Sequence, residues 1–229
     1  MQPSDPSHPP SASTDTREIE WQLAVTDLEV VRRWLGEHEK VGGLLIRPVG
    51  RQILRDTYLD TGDWRMFWAG FALRLRETPA GVEATLKSLR SARTDLADRR
   101  EITEPLANPD EGLRYAPGPV GTRVREITGA VPLNALVTVH TVRERFAVHN
   151  PLHPADIGDI ALDETEFRTP TDAPLGRLLR VEVEAVGPPL AALERLVQAL
   201  RAECGLEAAR DSKLAVGLRL AGLVPPPLM

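Results

Sequence analysis

The chain has 229 residues, a formal net charge of −5 and a single cysteine, Cys204. The negative charge argues against a general nucleic-acid-binding protein, because such proteins need broad positive surfaces to meet phosphates. One cysteine cannot form an internal disulfide bond, and no apolar run approaches the roughly 20 residues that cross a bilayer. Without a signal-peptide core either, we expect a cytoplasmic protein with no membrane contact.

The ends of the chain differ in composition from its body. Residues 1–16 are rich in Ser, Pro, Asp and Thr, and residues 223–229 include Pro225, Pro226 and Pro227. Such segments cannot bury enough apolar surface to offset chain entropy, so both are predicted to be disordered tails. Residues 17–222 are predicted to form one domain. The oligomeric state stays open, a homodimer being one option.

Alternation of apolar and polar residues dominates the body and predicts strands. The first covers about 18–25, with apolar residues at odd positions and Glu18, Glu20 and Gln22 at even ones. A helix over about 27–38 follows, with Thr26 or Asp27 as its N-cap. Further strands are predicted near 53–59, 71–77, 82–87, 99–103, 141–148, 159–163 and 180–184, with mixed helix and loop over 109–127. Helices near 190–203 and 212–220 close the chain, the first ending at Gly205.

The polar faces of these strands carry charged pairs spaced two residues apart, and this spacing puts both members on one face. The pairs are Glu18/Glu20, Arg74/Arg76, Arg143/Arg145 and Glu182/Glu184. Paired carboxylates repel each other unless a cation lies between them, so two such pairs could bind Mg²⁺ or Mn²⁺. Paired arginines suit a chain of phosphates, because each guanidinium binds phosphate through two parallel hydrogen bonds.

The simpler alternative is an open sheet with one wet face, since isolated surface charge pairs are common and contribute little. Charges on six strands favour a closed sheet instead. Apolar faces would then pack outward against helices and the charges would line the interior. Buried charges cost free energy unless they are paired or ligated, so such an interior would be a binding tunnel.

An ordered series of motifs resembles the CYTH, or triphosphate tunnel metalloenzyme, superfamily. Residues 18–22, Glu-Ile-Glu-Trp-Gln, match the family's opening ExExK except at the last position. Residues 58–61, Tyr-Leu-Asp-Thr, and 70–76, Gly-Phe-Ala-Leu-Arg-Leu-Arg, resemble its YxDTxD…G…LRxR stretch. Residues 85–87, 143–145, 162–164, 181–184 and 212–213 follow in the family's order. The resemblance covers about residues 17–217.

The resemblance implies a mainly β, α+β fold: an eight-stranded antiparallel closed barrel with a charged lumen and packed outer helices. It implies metal ligation by Glu18, Glu20, Asp163, Glu182 and Glu184. It implies phosphate binding by Arg74, Arg76, Lys87, Arg143, Arg145 and Lys213, to which Arg55 is added as a further candidate on its strand. The residues expected to be catalytic are Glu18, Glu20, Lys87, Glu182 and Glu184, and Glu101 lies near a further acidic position of the family.

The activity implied is metal-dependent hydrolysis of a linear triphosphate, with Mg²⁺ or Mn²⁺ as cofactor and inorganic tripolyphosphate as the simplest substrate. An adenylate cyclase is an alternative. A polyphosphate- or nucleotide-binding module without turnover is another, because Gln22 replaces the lysine of ExExK and neutralises nothing. On this reasoning a Gln22→Lys change is expected to raise hydrolysis.

Overall fold

The computed structural model describes residues 13–79, 81–89, 96–106 and 112–225. Within them, the chain forms ten strands and five helices. The strands are β1 (Thr14–Ala24), β2 (Lys40–Val41), β3 (Leu44–Thr61), β4 (Phe71–Thr78), β5 (Gly81–Ser88), β6 (Leu96–Leu106), β7 (Leu133–His149), β8 (Asp156–Arg168), β9 (Pro174–Ala185) and β10 (Glu207–Ala208). The helices are α1 (Leu28–Glu37), α2 (Arg65–Trp68), α3 (Pro119–Thr128), α4 (Leu190–Cys204) and α5 (Lys213–Leu220), and a single 3-10 turn spans Leu113–Tyr115.

Eight of the strands form a closed antiparallel barrel in the order β1-β6-β5-β4-β3-β7-β8-β9. The first strand closes the ring, because residues 14–21 pair with β6 while residues 19–24 pair with β9. Strands β2 and β10 are short additions to β3 and β1. The structure therefore confirms the antiparallel barrel that the sequence predicts.

The hydrophobic core lies mainly outside the barrel wall. Helices α1 and α4 cover the outer faces of β1, β8 and β9, where Trp21, Leu23 and Val183 are buried. Helices α2 and α3 cover β4, β5 and β6 in a second cluster that includes Leu73 and Leu86. Because the odd residues of β1 and β9 take part in this outer core, the even residues are directed into the lumen.

One end of the lumen is apolar, which the sequence analysis did not predict. Helix α5 packs against inward-facing Val137, Val139 and Phe167 in a third cluster. Gly217 permits this approach, since a Cβ there would lie 3.1 Å from both Phe167 and Val137 side chains. The helix therefore closes one end of the barrel over an apolar interior, and the charged part of the lumen begins beyond it.

A bulge in β3 explains why the first half of this strand was missed. The register with β7 shifts between Pro48 and Gly50, and the proline also interrupts the alternation. The shift reverses which residues face inward: Ile46 packs in the outer core, whereas Leu54 lines the lumen. Only the second half, beyond the bulge, therefore reads as a regular strand from the sequence.

Most remaining boundaries agree with the predicted elements to within a few residues, but β7 begins at Leu133 rather than near 141, β8 ends at Arg168 rather than near 163, and β9 begins at Pro174 rather than near 180. Asp27 caps α1 by accepting the amide of Glu29, and Gly205 ends α4 in the left-handed conformation. Strand β1 begins at Thr14, inside the segment expected to be a tail. The rest of that expected tail, residues 1–12, and residues 226–229 lie outside the described structure. No described helix has the length and apolar character of a membrane span.

Candidate functional site: a charge-compensated lumen

The charged part of the lumen is a cavity of about 160 Å³ whose walls come from seven of the eight barrel strands, all but β8, and from the start of α5. Acidic and basic side chains both line it: the carboxylates concentrate on neighbouring β1 and β9, and cations come from β4, β5, β6, β7 and α5. Counting the lining and the buried groups in contact with it, the described structure contains seven carboxylates and seven cationic side chains. They are Glu18, Glu20, Asp56, Glu101, Asp163, Glu182 and Glu184, and Arg74, Arg76, Lys87, Arg99, Arg143, Arg180 and Lys213.

The acids of β1 contact cations from the neighbouring strands. Lys87 Nζ on β5 lies 2.6 Å from Glu18 and 2.7 Å from Glu101. Arg99 on β6 lies 2.7 Å from Glu20 and 3.2 Å from Glu18. Glu18 and Glu20 are only 8% and 5% exposed, and Glu18 Oε2 has no hydrogen-bond partner. The two glutamates are thus buried and incompletely compensated.

A second charged group forms on the opposite side, where β7, β8, β9 and α5 meet. Arg143 donates two hydrogen bonds of 2.7 Å to Asp163, which is fully buried. Lys213 Nζ lies 2.5 Å from Asp163 and 2.8 Å from Glu182, and Arg143 also contacts Glu182. Ser212 caps α5 by accepting the amide of Ala215, which places Lys213 at the first helical position, beside the cavity.

The cavity glutamates differ in pKa because their surroundings differ. Burial and the charges of Glu182 and Glu18 raise the pKa of Glu20 to about 7. Burial and the charge of Glu18 also raise the pKa of Glu184. Burial acts on Glu182 as well, but Lys213 and Arg143 outweigh it and hold the pKa of Glu182 well below its usual range. Negative charge therefore accumulates without full compensation around Glu20, and not around Glu182.

The cavity carboxylates are suitable ligands for a divalent metal, although cations now contact them. Among the residues described, no three His, Cys, Asp or Glu side chains converge closely enough to hold an ion as they stand. The reason is that cations such as Lys87 and Arg99 contact the same oxygens. The donor set nevertheless fits Mg²⁺ or Mn²⁺. It consists of hard carboxylate oxygens, among them Glu18 Oε2, which accepts no hydrogen bond, and those of Glu20, whose pKa is raised by burial and by the neighbouring acids. Glu18, Glu20, Glu182 and Glu184 would hold the ion once those cations turn away, whereas Asp163 is fully buried and contacts Arg143 and Lys213.

Arg74 is the cation with the weakest contacts in the cavity. Its Nη2 lies 3.3 Å from Thr85 Oγ1, its Nη1 lies 3.8 Å from Asp56, and its buried Nε has no partner. Neighbouring Arg76, by contrast, donates hydrogen bonds of 2.7 and 2.8 Å to Asp56. Arg74 therefore has donors available for an anionic ligand.

Two of the expected phosphate-binding residues lie away from the cavity lining. The side chain of Arg55 is 55% exposed and lies 3.8 Å from Glu77, because neighbours Leu54 and Asp56 take the inward positions of β3. The prediction that Arg55 contacts phosphate in the lumen is therefore wrong, because its side chain lies on the outer face of β3. Arg145 shares the inward face with Arg143, but it lies nearer the open end and contacts Asp159 at 2.9 Å. The other expected residues line the cavity or, in the case of Asp163, contact its lining.

Three charged cavity residues were not assigned from the sequence: Asp56, Arg99 and Arg180. Strand parity could have found them, since Arg99 shares a face with Glu101, and Arg180 with Glu182. Asp56 was passed over in favour of its neighbour Arg55. Its inward orientation depends on the bulge in β3, which reverses the parity of that strand.

The segment with the most specific sequence signal has a structural role. Asp60 is buried, and its carboxylate accepts the backbone amides of Thr61, Met66 and Phe67 at 2.7 to 2.9 Å. It thereby fixes the turn into α2, in which Trp64 adopts a left-handed conformation with φ of 63°. Tyr58, two residues earlier, lines the cavity.

A second, apolar cavity of about 330 Å³ adjoins the charged one. The two share Leu89, Ser212 and Leu214. The apolar cavity is otherwise lined by Phe67, Ala215, Leu218, Arg219, Leu223, Val224 and Pro225. A ligand with a charged chain and an apolar or aromatic end could therefore extend from one cavity into the other.

Comparisons with known proteins agree with this architecture. Residues 17–217 match the model of the CYTH domain. No curated protein sequence matched significantly. HpAC1 from Hippeastrum, described as a candidate adenylyl cyclase with a dominant triphosphatase activity, is 19% identical with a TM-score of 0.66, covering 91% of this chain and 98% of its own.

Two microbial structures are similar as well. A candidate adenylate cyclase from Bacillus halodurans is 19% identical with a TM-score of 0.57, covering 86% of this chain and 96% of its own. The PH1819 protein from Pyrococcus horikoshii has the same identity and TM-score, with coverages of 88% and 98%. At these identities the structures establish a shared fold, and the family model covers most of the chain. The chain therefore belongs to the CYTH domain family.

Proposed function

We propose that this protein hydrolyses a linear triphosphate in the charged cavity, with Mg²⁺ or Mn²⁺ bound by its carboxylates. The observation that carries the proposal is the balance of seven acidic and seven basic side chains around one small cavity. A polyphosphate alone would bring a large excess of negative charge, and a metal alone an excess of positive charge. Divalent metal ions bound together with the triphosphate each offset two of its negative charges, so the complex disturbs the balance less than the triphosphate alone and suits this lumen better.

Binding would exchange internal ion pairs for contacts with the ligand. Phosphate oxygens would take over cations such as Lys87 and Lys213, and Arg74 would add its unpartnered donors. The carboxylates released by this exchange, among them Glu18 and Glu20, would then be free to ligate metal. A divalent cation held by these carboxylates would supply Lewis-acid neutralisation of phosphate charge and activation of the attacking water.

The protein's contribution to the reaction is positioning and charge neutralisation. The rigid barrel fixes arginines and lysines on opposite walls, so that a phosphate chain would be held extended between them. Charge that develops on the phosphate oxygens would face preorganised guanidinium groups in a mostly buried site, where such interactions are stronger than in water.

The adjoining apolar cavity favours a second candidate of the same reaction type. An organic triphosphate could place its phosphates in the charged cavity and its organic group against Phe67 and Leu218. The HpAC1 triphosphatase activity is consistent with hydrolysis as the reaction class.

The test is phosphate release with Mg²⁺ or Mn²⁺ from tripolyphosphate, ATP and thiamine triphosphate, with cyclic AMP measured in the ATP reactions. Arg74→Gln removes a buried cavity cation, and Arg55→Gln removes an exposed one from the outer wall of neighbouring β3. We expect release by the wild type, loss of at least about tenfold in Arg74→Gln and no change in Arg55→Gln, tenfold corresponding to about 1.4 kcal/mol.

Other outcomes would contradict the proposal in different ways. Tight calorimetric binding of tripolyphosphate without release would indicate a binding module. Cyclic AMP as the main product would indicate a cyclase. Equal activity in Arg74→Gln and wild type would place the reaction outside this cavity.

A further inference from the structure

Gln22 occupies a bridging position that its neutral side chain alone does not explain. Its amide NH₂ donates to Glu20 on the same strand, and its carbonyl Oε1 accepts a 2.9 Å hydrogen bond from Nη1 of Arg180. Gln22 lies directly across from Glu182 in the β1–β9 pairing. The amide therefore connects the Glu20 carboxylate to an arginine on the neighbouring strand β9.

Arg180 is held in a fixed position behind this amide. It is 2% exposed, and Nη2 donates a 2.8 Å hydrogen bond to the backbone oxygen of Asp211, just before α5. Its contacts are thus with neutral oxygens, and its Nε is buried without a partner. Its charge acts on the nearby carboxylates of Glu182 and Glu20 through space.

A buried guanidinium with so few direct contacts needs a reason, because burying a charge is costly unless it is compensated. The acidic strands β1 and β9 provide one. Glu20, Glu182 and Glu184 lie on adjacent inward positions of these strands, and a neutral residue at position 22 does nothing to relieve the repulsion that Glu20 meets there. Arg180 supplies positive charge at that place from the other strand.

We propose that Arg180, acting through Gln22, is a positioning residue of this site. It supplies the positive charge that a lysine at position 22 would supply, and the Gln22 amide, hydrogen-bonded to both Arg180 and Glu20, holds the Glu20 carboxylate in place. Arg180 and Gln22 together stand where the ExExK motif has one cation. This inference rests on the proposed function for its role in binding triphosphate. The coupling between the two side chains is independent of any turnover.

The inference reverses the expectation for Gln22→Lys. In the wild-type background the new ammonium would face the Arg180 guanidinium inside the barrel, and Nη1 of Arg180 would lose its acceptor. In an Arg180→Gln background the same lysine would instead replace the missing charge. The effect of Gln22→Lys should therefore change sign with the residue at position 180, which independent roles would not produce.

The experiment compares wild type, Gln22→Lys, Arg180→Gln, the double variant and Arg180→Lys. Arg177→Gln is the matched control, because Arg177 is exposed on the same strand. Thermal unfolding is measured in EDTA, and binding of tripolyphosphate with Mg²⁺ is measured by calorimetry. We expect Gln22→Lys alone to lower Tm by roughly 5 °C, and to leave it unchanged or raise it when Arg180 is Gln.

For binding, we expect Arg180→Gln to weaken affinity for tripolyphosphate by about tenfold. The double variant should return to within about threefold of the wild type, Arg180→Lys should retain most of the affinity, and Arg177→Gln should bind as the wild type does. If affinity recovers when the positive charge is moved from position 180 to position 22, the loss in Arg180→Gln is due to the missing charge and not to a general loss of structure.

The same change in Tm from Gln22→Lys in both backgrounds would overturn the inference, and so would faster hydrolysis in that variant with no loss of stability. If the wild type neither binds nor hydrolyses any triphosphate, the proposed function and the binding role of Arg180 fail together. The stability comparison would then still decide whether Gln22 and Arg180 are coupled.

Discussion

Glu20 and Glu182 offer a sharp test of the lumen's electrostatics, because the same substitution at each should have opposite effects on stability. Both are buried glutamates on the inward faces of paired strands. Glu20 has a raised pKa of about 7, whereas the pKa of Glu182 is held well below its usual range by Lys213 and Arg143. Glutamine keeps the shape of each side chain and removes its charge.

The magnitude for Glu20 follows from its pKa. The shift from 4.5 to about 7 means that above pH 7 the folded protein holds a carboxylate whose ionisation is disfavoured by up to about 3 kcal/mol. Glu20→Gln removes that penalty, so at pH 8 without metal it should stabilise the protein by as much as this amount. Its hydrogen-bonded neighbours, Gln22 and Arg99, still find an amide oxygen.

The magnitude for Glu182 has the opposite sign. Its carboxylate receives Lys213 at 2.8 Å and also contacts Arg143. Removing one partner of a buried ion pair costs about 3 to 5 kcal/mol, and the lower end applies because Asp163 still contacts both cations. Since 1 kcal/mol corresponds to about 2–4 °C for a domain of this size, the two variants should differ in Tm by roughly 10 °C or more.

The assay is thermal unfolding in EDTA at pH 8, with Glu207→Gln as an exposed control that should leave Tm unchanged. Both cavity variants should also lose most of the increase in Tm that Mg²⁺ with tripolyphosphate gives the wild type. Equal shifts of the same sign in EDTA would refute this account, because the contrast between compensated and uncompensated acids would not exist.

Three further predictions concern the same cavity and its support. In EDTA the wild-type Tm should fall as pH rises from about 5 to 8. The reason is that Glu20, which is surrounded by Glu18, Glu182, Lys87 and Arg99, binds a proton in the folded state up to about pH 7 but releases it near 4.5 when unfolded, so Glu20→Gln should flatten this dependence in a pH series. Mg²⁺ alone should raise Tm by less than about 2 °C, because the cavity carboxylates are already paired with internal cations, whereas Mg²⁺ with tripolyphosphate at 100 times Kd should raise it by roughly 5–10 °C. Equal increases in Tm under the two conditions would contradict this. Asp60→Ala should lower Tm by about 5 °C or more, because three backbone amides lose their acceptor, while phosphate release at 20 °C should persist. An unchanged Tm would show that Asp60 does not have this structural role.

The sequence alone determined the barrel and most of the residues around its cavity. Alternation along β1, β4 and β9 separates outward apolar from inward charged residues, because successive side chains of a strand point to opposite faces. Residues such as Glu18, Arg74 and Glu182 were identified in this way, together with the ordered motifs. These features are local, so each strand carries them without reference to its neighbours.

The tertiary structure decided what depends on several strands at once. The bulge at Pro48–Gly50 turns Asp56 inward and Arg55 outward, and a strand read singly does not show it. Closure by α5 makes one end of the lumen apolar. Lys213 and Arg143 compensate the charge of Glu182, whereas Glu20 remains repelled by neighbouring acids. This difference depends on where β5, β6, β7 and α5 place their cations in the folded barrel.

The position of Gln22 shows the same division most clearly. The sequence identifies a neutral residue where the motif has a lysine, and on that basis predicts a missing charge. Only the pairing of β1 with β9 brings Arg180 to within 2.9 Å of it, across 158 residues of chain. Electrostatic interactions act through space, so the charge at a site is a property of the folded barrel rather than of any one strand.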